Sequence, residues 1–254
     1  IPGTFVPHGE GKETDEMLGT YTGSFRDDQF DGPGVFTYRF GKVYDGMWKK
    51  GAWNGAGKLM YERGDVYTGM FKECNRHGLG TLIYTNGRFY TGQWVLDRMH
   101  GHGEGKFRNG LIYKGNFKNG YRCGYGEGTF PNGNVYKGQW KDNKRWGSGE
   151  QTYSNGGIYD GEWRADKRHG HGKMIHSEGT YRGNYINNMR EGFGVFTFTN
   201  GNVYSGLYKN GRRHGNGSLT YPDGTVIKEG YFEGVQCRAG KDGEVIQPVY
   251  KSKK

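Results

Sequence analysis

Residues 67–89 read YTGMFKECNRHGLGTLIYTNGRF, and close variants of this stretch follow one another along the 254-residue chain. The Tyr-x-Gly triplet that opens it recurs after 23 residues, and once after 22. A fixed short period indicates a repeat architecture, in which each unit packs against its neighbours. We therefore interpret residues 21–226 as nine repeats of one domain, opened by Tyr21, Tyr44, Tyr67, Tyr90, Tyr113, Tyr136, Tyr159, Tyr181 and Tyr204.

Three further features keep their places in the repeat. The fourth residue after each repeat tyrosine is aromatic, as in Phe71, and a Gly-x-Gly follows, as in Gly78 and Gly80. Another ring stands seventeen positions after the tyrosine, as in Tyr84, with His176 as its one substitute. The resulting pattern, Y-x-G-x-W…H-G-x-G…Y-x-(N/D)-G, resembles the MORN (membrane occupation and recognition nexus) repeat over residues 8–236.

Each repeat is predicted to be a β-hairpin. Side chains alternate between the two faces of a strand, so Tyr67, Gly69 and Phe71 share one face. Asn-Gly pairs such as Asn86-Gly87 mark the connection to the next tyrosine strand, where a tight turn needs positive φ. The fold class is therefore all-β, an elongated single-layer antiparallel solenoid of stacked hairpins, on the order of 85 to 90 Å long at ~4.8 Å per strand.

Glycines on the same face as the rings are expected to leave room for a ring to lie on bare backbone. Stacked rings then replace an aliphatic core, which explains how a chain with 32% hydrophobic residues and 50 glycines can fold. The structural aromatics that we predict are Tyr67, Phe71, Tyr84, Tyr90, Trp94, Tyr136, Trp140, Tyr159 and Trp163.

The ends of the chain depart from the period. Residues 1–20 read as an irregular cap with a degenerate half repeat at His8-Gly9-Glu10-Gly11. Residues 227–236 form a partial tenth repeat, and residues 237–254 read as a tail. No run of 18 apolar residues or signal-peptide pattern is present. The first residue is Ile and not Met. A targeting segment that preceded it and was removed is therefore one of the alternatives.

The net charge of +10 is concentrated near the connection between the two strands of each repeat. Stacking is expected to align these side chains along one edge, which suits acidic lipid headgroups or acidic protein tails. The alternative is that they keep the ribbon soluble and protect its loops, and Asp97, Asp142 and Asp166 reduce the field. The predicted binding residues are Lys118, Arg122, Lys141, Lys144, Arg145, Arg164, Lys167, Arg168, Lys209, Arg212 and Arg213.

The sequence does not favour disulfides, metal binding, nucleotide binding or catalysis. Three cysteines at unrelated repeat positions indicate reduced thiols. His100 and His102 lack the companions of a zinc site, so we predict no metal, and expect the repeated histidines to bond a loop backbone. Gly-rich strings open no helix and precede no Gly-Lys-Ser/Thr, so they are not phosphate loops. We expect no catalytic residues, no cofactor and no nucleic-acid binding, because the rings are used internally.

The resemblance implies a stand-alone scaffold, since repeats occupy nearly the whole chain and leave no room for the catalytic domains that some relatives carry. Similar proteins occur in radial spoke heads, in junctions between membranes and in parasite cytoskeletons. We expect protein–protein contacts in a multi-subunit cytoskeletal assembly of the cytoplasm, most of all a ciliary or flagellar axoneme. Open strand edges allow two copies to pair. The alternative function is a peripheral membrane adaptor that binds acidic phospholipid through the basic edge.

Overall fold

The computed structural model describes residues 8–232 and 235–237. These described residues form 21 strands and no helix. The chain divides into two compact units, Ile1–Gly124 and Tyr125–Lys254. The predicted all-β antiparallel hairpin fold is confirmed. The first seven residues of the predicted cap, and the predicted tail beyond residue 237, lie outside the described residues.

In the first unit every strand pairs antiparallel with the next one along the chain. Strand β1 takes the place of a Gly-x-Gly strand against the first tyrosine strand, with Gly11 opposite Gly23. The strands are β1 (Gly9–Asp15), β2 (Gly19–Arg26), β3 (Gln29–Tyr38), β4 (Val43–Lys49), β5 (Ala52–Met60), β6 (Val66–Lys72), β7 (Asn75–Ile83), β8 (Phe89–Val95), β9 (Arg98–Lys106) and β10 (Ile112–Lys118).

Strand β11 (Tyr121–Thr129) contains the division between the units. The second unit repeats the antiparallel pairing of successive strands from β12 onwards. Its strands are β12 (Val135–Lys141), β13 (Lys144–Thr152), β14 (Ile158–Arg164), β15 (Lys167–His176), β16 (Gly179–Ile186), β17 (Met189–Phe198), β18 (Val203–Lys209), β19 (Arg212–Thr220), β20 (Val226–Phe232) and β21 (Val235–Cys237).

The two strands of a repeat are joined by a two-residue turn. Between β6 and β7 this turn is Glu73-Cys74, whose φ angles are 49° and 61°. Positive φ at both positions defines a type I′ turn, whose twist matches that of the flanking strands. The turn places Lys72 opposite Asn75 and Phe71 opposite Arg76.

The Asn-Gly pairs lie in the other connection, as predicted, but they form a different turn. Between β7 and β8, the Gly87 amide donates to the Tyr84 carbonyl at 3.0 Å. Gly87 has a φ of 77°, whereas the φ of Asn86 is not positive. The Asn86 Oδ1 accepts a hydrogen bond from the Arg88 amide at 3.2 Å. This is a three-residue loop with its glycine in the left-handed region, and the asparagine stabilises it through its side chain.

The two glycines of each Gly-x-Gly have different roles. Gly78 lies in an irregularity of β7, where the ladder shifts between Gly69 and Phe71, and its φ is 69°. Gly80 lies in extended backbone, but a Cβ there would be 2.1 Å from the Tyr67 hydroxyl. The expectation that rings need bare backbone therefore holds for the second glycine, while the first is required for its conformation.

One repeat is a residue shorter than the others, and the missing residue falls in a loop. β15 and β16 are joined by Ser177-Glu178 in place of a three-residue loop. The ladder beyond this loop still sets Met174 opposite Tyr181, as Leu59 lies opposite Tyr67. The strands keep their register.

The core of each unit is a layer of rings on one face of its sheet, which we call the ring face; the opposite face is the outer face. The nine repeat tyrosines are at most 2% exposed. Tyr67 meets Phe71 of its own repeat edge-on at 5.0 Å, and Trp94 of the next repeat at 5.5 Å. Its hydroxyl donates to the Met70 carbonyl at 3.0 Å. Tyr67 thus links two repeats within its unit, and the same contact with the next repeat is made by Tyr21, Tyr44, Tyr90, Tyr136, Tyr159 and Tyr181.

Candidate interaction surfaces

Seven of the predicted basic residues are exposed beside the two-residue turns. Six of them form three cross-strand pairs of like charge in the second unit, which we call the basic turn pairs. Like charges directly opposite one another destabilise a strand pair, so the fold itself does not require them. The pairs are Lys141 with Lys144, Arg164 with Lys167, and Lys209 with Arg212; the seventh residue is Lys118.

The other four predicted basic residues are half-exposed and lie against the rings, not along the exposed edge that the sequence predicts, and their part in binding stays a prediction. Their guanidinium groups lie over rings, and three of them, Arg145, Arg168 and Arg213, face a ring residue across the two-residue turn. Arg145 is opposite Trp140, and its Cζ lies 4.3 Å from the centroid of the Trp163 ring. Arg122, Arg168 and Arg213 lie over Phe107, Tyr185 and Tyr204 at 5.4, 5.2 and 4.1 Å.

Two of the acidic residues expected to reduce the basic field each bind an arginine that lies over a ring: Asp166 binds Arg145, and Asp97 binds Arg76. The Arg145 Nε donates to Asp166 Oδ1 at 3.1 Å, and its Nη2 donates to the Asp166 carbonyl at 2.9 Å. In the first unit Arg76 donates to Asp97 Oδ1 at 2.8 Å. Each arginine therefore binds the turn of the following repeat, and these carboxylates help to join repeats.

The predicted structural aromatics are buried, with the exception of Tyr84, which is half-buried. Burial raises the pKa of the Tyr67 hydroxyl to about 12, while the nearby Arg76 lowers it. Burial likewise raises the pKa of Tyr136. These hydroxyls stay neutral hydrogen-bond donors inside the ring layer. Because the rings contact one another, they serve packing.

The histidines of the repeat behave differently from the prediction. The buried Nδ1 atoms of His77, His100 and His169 have no hydrogen-bond partner within residues 8–232. Each of these histidines directly precedes a glycine of positive φ, at the irregularity of its strand ladder. In the described part of the chain no group of three His, Cys, Asp or Glu residues could hold a metal ion. Cys74 and Cys123 are not part of a disulfide.

An apolar row on the outer face of the first unit was not predicted. Pro33 lies opposite Met47, and Ala56 lies opposite Met70, with Leu79 following in the next strand. Met47, Met70 and Leu79 are 41%, 43% and 66% exposed. We call these five residues the outer apolar stripe. These residues occupy two positions of the repeat. Pro33, Ala56 and Leu79 lie between the two glycines of a Gly-x-Gly, and Met47 and Met70 are the third residue after a repeat tyrosine.

The stripe is continuous across strands. A Cβ on Gly55 would meet the Met47 Cβ at 3.2 Å, and one on Gly78 would meet the Met70 Cβ at 3.3 Å. Each methionine therefore leans over the glycine of the following strand, next to Ala56 or Leu79. Beyond Leu79 the row turns polar, at Gln93.

The model of the MORN repeat matches nine segments of the chain: residues 21–39, 44–66, 67–87, 90–112, 113–135, 136–158, 159–180, 181–203 and 204–226. No curated protein matches the chain. Among residues 8–232 and 235–237 there is no helix with the length and apolar character needed to span a membrane.

Two solved structures are similar to the chain at low identity. The TCP10 domain of Danio rerio CPAP, in complex with a peptide of Danio rerio STIL, is 16% identical over 94% of this chain and 98% of that one, with a TM-score of 0.46. The SAS-4 (dCPAP) TCP domain, in complex with a proline-rich motif of Ana2 (dSTIL) of Drosophila melanogaster, is 13% identical over 76% and 87%, with a TM-score of 0.33. The likeness concerns the fold alone.

Proposed function

Because the chain belongs to the MORN-repeat family, we propose that it is a non-enzymatic scaffold that holds partner proteins in a cytoskeletal assembly. Of such assemblies we favour the ciliary or flagellar axoneme, with a role of the radial-spoke type, and hence a place in the cytoplasm and its cytoskeleton. The observation that carries the proposal is the outer apolar stripe.

The stripe suits a protein partner for two reasons. Its side chains point away from the ring layer, so they contribute little to the core of the unit. Contiguous exposed apolar surface with a polar border is typical of protein–protein contact sites, and Gln93 begins such a border on one side. Methionines adapt well to a partner because their side chains are unbranched and polarisable.

The test is detergent extraction of ciliated cells that express the tagged chain, followed by microscopy of the insoluble axonemes. We expect the wild-type chain to remain, and the double variant Met47→Glu, Met70→Glu to be extracted. The matched control is Gln93→Glu, which occupies the same repeat position without apolar surface and should remain bound. Extraction of the wild-type chain with the membranes would contradict the scaffold proposal.

A second candidate function is binding to acidic phospholipid, which the basic turn pairs favour. Lys141, Lys144, Arg164 and Lys167 are exposed on two neighbouring repeats, which lie ~10 Å apart. Basic side chains near an anionic membrane each contribute about 1 kcal/mol. The carboxylate of Asp166, which lies in the turn between Arg164 and Lys167, is bound by Arg145.

The lipid function is tested by sedimentation with phosphoinositide vesicles. Reversal of Lys141, Lys144, Arg164 and Lys167 to Glu should abolish binding while the melting temperature stays near that of the wild type. Arg145 and Arg168 must be left unchanged, because they lie over rings and their reversal would damage the fold. Vesicle binding that survives the four reversals excludes the basic turn pairs as the lipid site.

A further inference from the structure

One repeat of the first unit has a gap in its ring face. A cavity of about 260 Å³ lies beside Tyr90, Trp94 and Phe107. Tyr90 and Trp94 line its base and are 2% and 3% exposed, while Met99 and Phe107 at its side are half-buried. The lining includes Met99, at a repeat position that carries larger side chains in the preceding repeats.

The preceding repeats show what normally fills this position and the position of Gly105. In the repeat of Tyr44 they hold Trp53, which stacks on Tyr44 at 4.6 Å and 13°, and Leu59, which is 3% exposed. In the next repeat they hold Arg76 and Leu82. Arg76 lies 4.2 Å from the Trp94 ring centroid, and Leu82 is 3% exposed. In the Tyr90 repeat the first position holds Met99, which lines the cavity, and the second holds the buried Gly105, where a Cβ would meet the Phe107 ring at 3.3 Å.

The border of the cavity is strongly basic. It carries one carboxylate, that of Asp97, which Arg76 binds at 2.8 Å. In the described chain Arg98, Lys106 and Arg108 form no ion pair, and all three are exposed. The cationic residues of the border are Arg76, Arg88, Arg98, Lys106 and Arg108.

We propose that this groove, defined by Met99, Phe107 and the five cations, binds an acidic peptide segment of a partner protein that places one apolar side chain against Met99 and Phe107. The inference rests on the proposed scaffold function and names a partner chemistry for it. Uncompensated cations beside apolar side chains favour a partner that brings carboxylates and an anchor together.

The size of the groove supports a side chain as its occupant. Sites for small molecules and cofactors have volumes of roughly 300–1,000 Å³, whereas this groove is below that range at about 260 Å³. A buried anchor surrounded by polar contacts is the usual arrangement of an interface hot spot. Charges at the border of such a site select the partner and speed its association.

The experiment measures fluorescence anisotropy of labelled Glu-Glu-Trp-Glu-Glu with the full chain. A Glu-Glu-Gly-Glu-Glu peptide tests the anchor. We expect the Trp peptide to bind at least about tenfold more tightly than the Gly peptide, as for loss of a hot-spot side chain. Equal binding of the two peptides, or no binding of either, overturns the proposal.

Two variants locate the site. Met99→Trp places at this position the residue type that the Tyr44 repeat carries, and should weaken the Trp peptide at least about tenfold by filling the groove. The double variant Arg98→Glu, Arg108→Glu should also weaken binding of the Trp peptide at least about tenfold. Both residues are exposed, so this variant tests the site even if Met99→Trp folds poorly. The matched control is Lys144→Glu with Lys167→Glu, two exposed changes at the repeat position of Arg98, which should leave binding unchanged.

Three further outcomes distinguish the peptide groove from a nonspecific charge effect, from a lipid site and from the scaffold function itself. An equal loss of binding in the control pair would show a nonspecific charge effect and overturn the groove. Phosphoinositide vesicles that compete with the peptide, and that lose binding in the Arg98 and Arg108 variant, would make the groove a lipid site instead. Axonemal retention is measured on the same variants: if the wild type is retained but binds no peptide, the groove fails and the scaffold stands.

Discussion

The hydroxyl of Tyr136 occupies the space that a side chain at Gly149 would need: a Cβ on Gly149 would lie 2.3 Å from that oxygen and 2.5 Å from the ring carbon that bears it. The φ angle of Gly149 is not in the positive region. Glycine is therefore required here because there is no room for a side chain, and not because of the backbone conformation. The same relationship recurs at the second glycine of other repeats, as between Gly80 and Tyr67.

Gly149→Ala should therefore destabilise the second unit by about 3 kcal/mol or more, because the buried ring must move. Gly156→Ala is the matched control: its Cβ would meet nothing within 4 Å, but its φ is 83°. The control should cost only about 1 to 2 kcal/mol of conformational strain. Urea unfolding compares the two. Equal costs would mean that the ring does not need the bare glycine.

Trp140→Ala should lower the free energy of unfolding by about 3 to 5 kcal/mol, as for other buried large aromatics. The Trp140 ring meets Tyr136 at 5.3 Å, and its Nε1 donates to the Gly126 carbonyl at 3.1 Å. Trp146→Ala is the control, since that ring is 36% exposed. It should cost less than about 1 kcal/mol. Similar melting temperatures for the two variants would contradict a core built of rings.

Arg145 and Lys144 are neighbours with opposite roles, so their substitutions should differ in sign. Arg145→Gln should cost about 2 kcal/mol, because the guanidinium loses its contact with Trp163 and its bonds to Asp166. Lys144→Glu should be neutral or stabilise by up to about 0.5 kcal/mol, since it removes the repulsion from Lys141. Chemical denaturation of both variants is the measurement. A larger loss for Lys144→Glu than for Arg145→Gln would disprove this assignment.

Alkaline pH should unfold the protein more readily than neutral pH. Burial raises the pKa of Tyr21 and Tyr67 from 10.0 to about 12, so the native state keeps protons that the unfolded state releases. The contribution of these tyrosines to the free energy of unfolding should be constant below pH 10 and should be lost between about pH 10 and 12. Thermal melts across this range, with tyrosinate absorbance, provide the test. Ionisation of all tyrosines near pH 10 without loss of structure would contradict the prediction.

The period of the sequence was enough to predict the hairpins, the ring face and the place of the Asn-Gly turns, because one residue pattern repeats with few substitutions. It did not lead to the two-residue turns, because their residues vary: Glu73-Cys74 carries no turn signal, whereas Asp142-Asn143, between Trp140 and Arg145, does. That omission explains why Arg145 was expected along the exposed edge. Only a two-residue turn sets Arg145 opposite Trp140, and residues opposite one another share a face.

The Tyr90 groove was missed for a related reason. A repeat pattern describes what the repeats share, whereas the groove includes Met99, by which one repeat differs from its predecessors. The outer apolar stripe was missed because it uses variable positions of the motif. In a repeat protein the shared positions determine the fold, and the departures from them distinguish one surface from another.

The missing residue between β15 and β16 has a practical consequence. The Ser177-Glu178 loop is one residue shorter than its counterparts, yet the strands on both sides keep the pairing of Gly172 with Gly183 that Gly57 and Gly69 show elsewhere. Loop length is therefore independent of the ring layer. An epitope or a spectroscopic label can be inserted at such a loop and read out from a chosen repeat, and evolution can vary these loops without redesigning the hairpins.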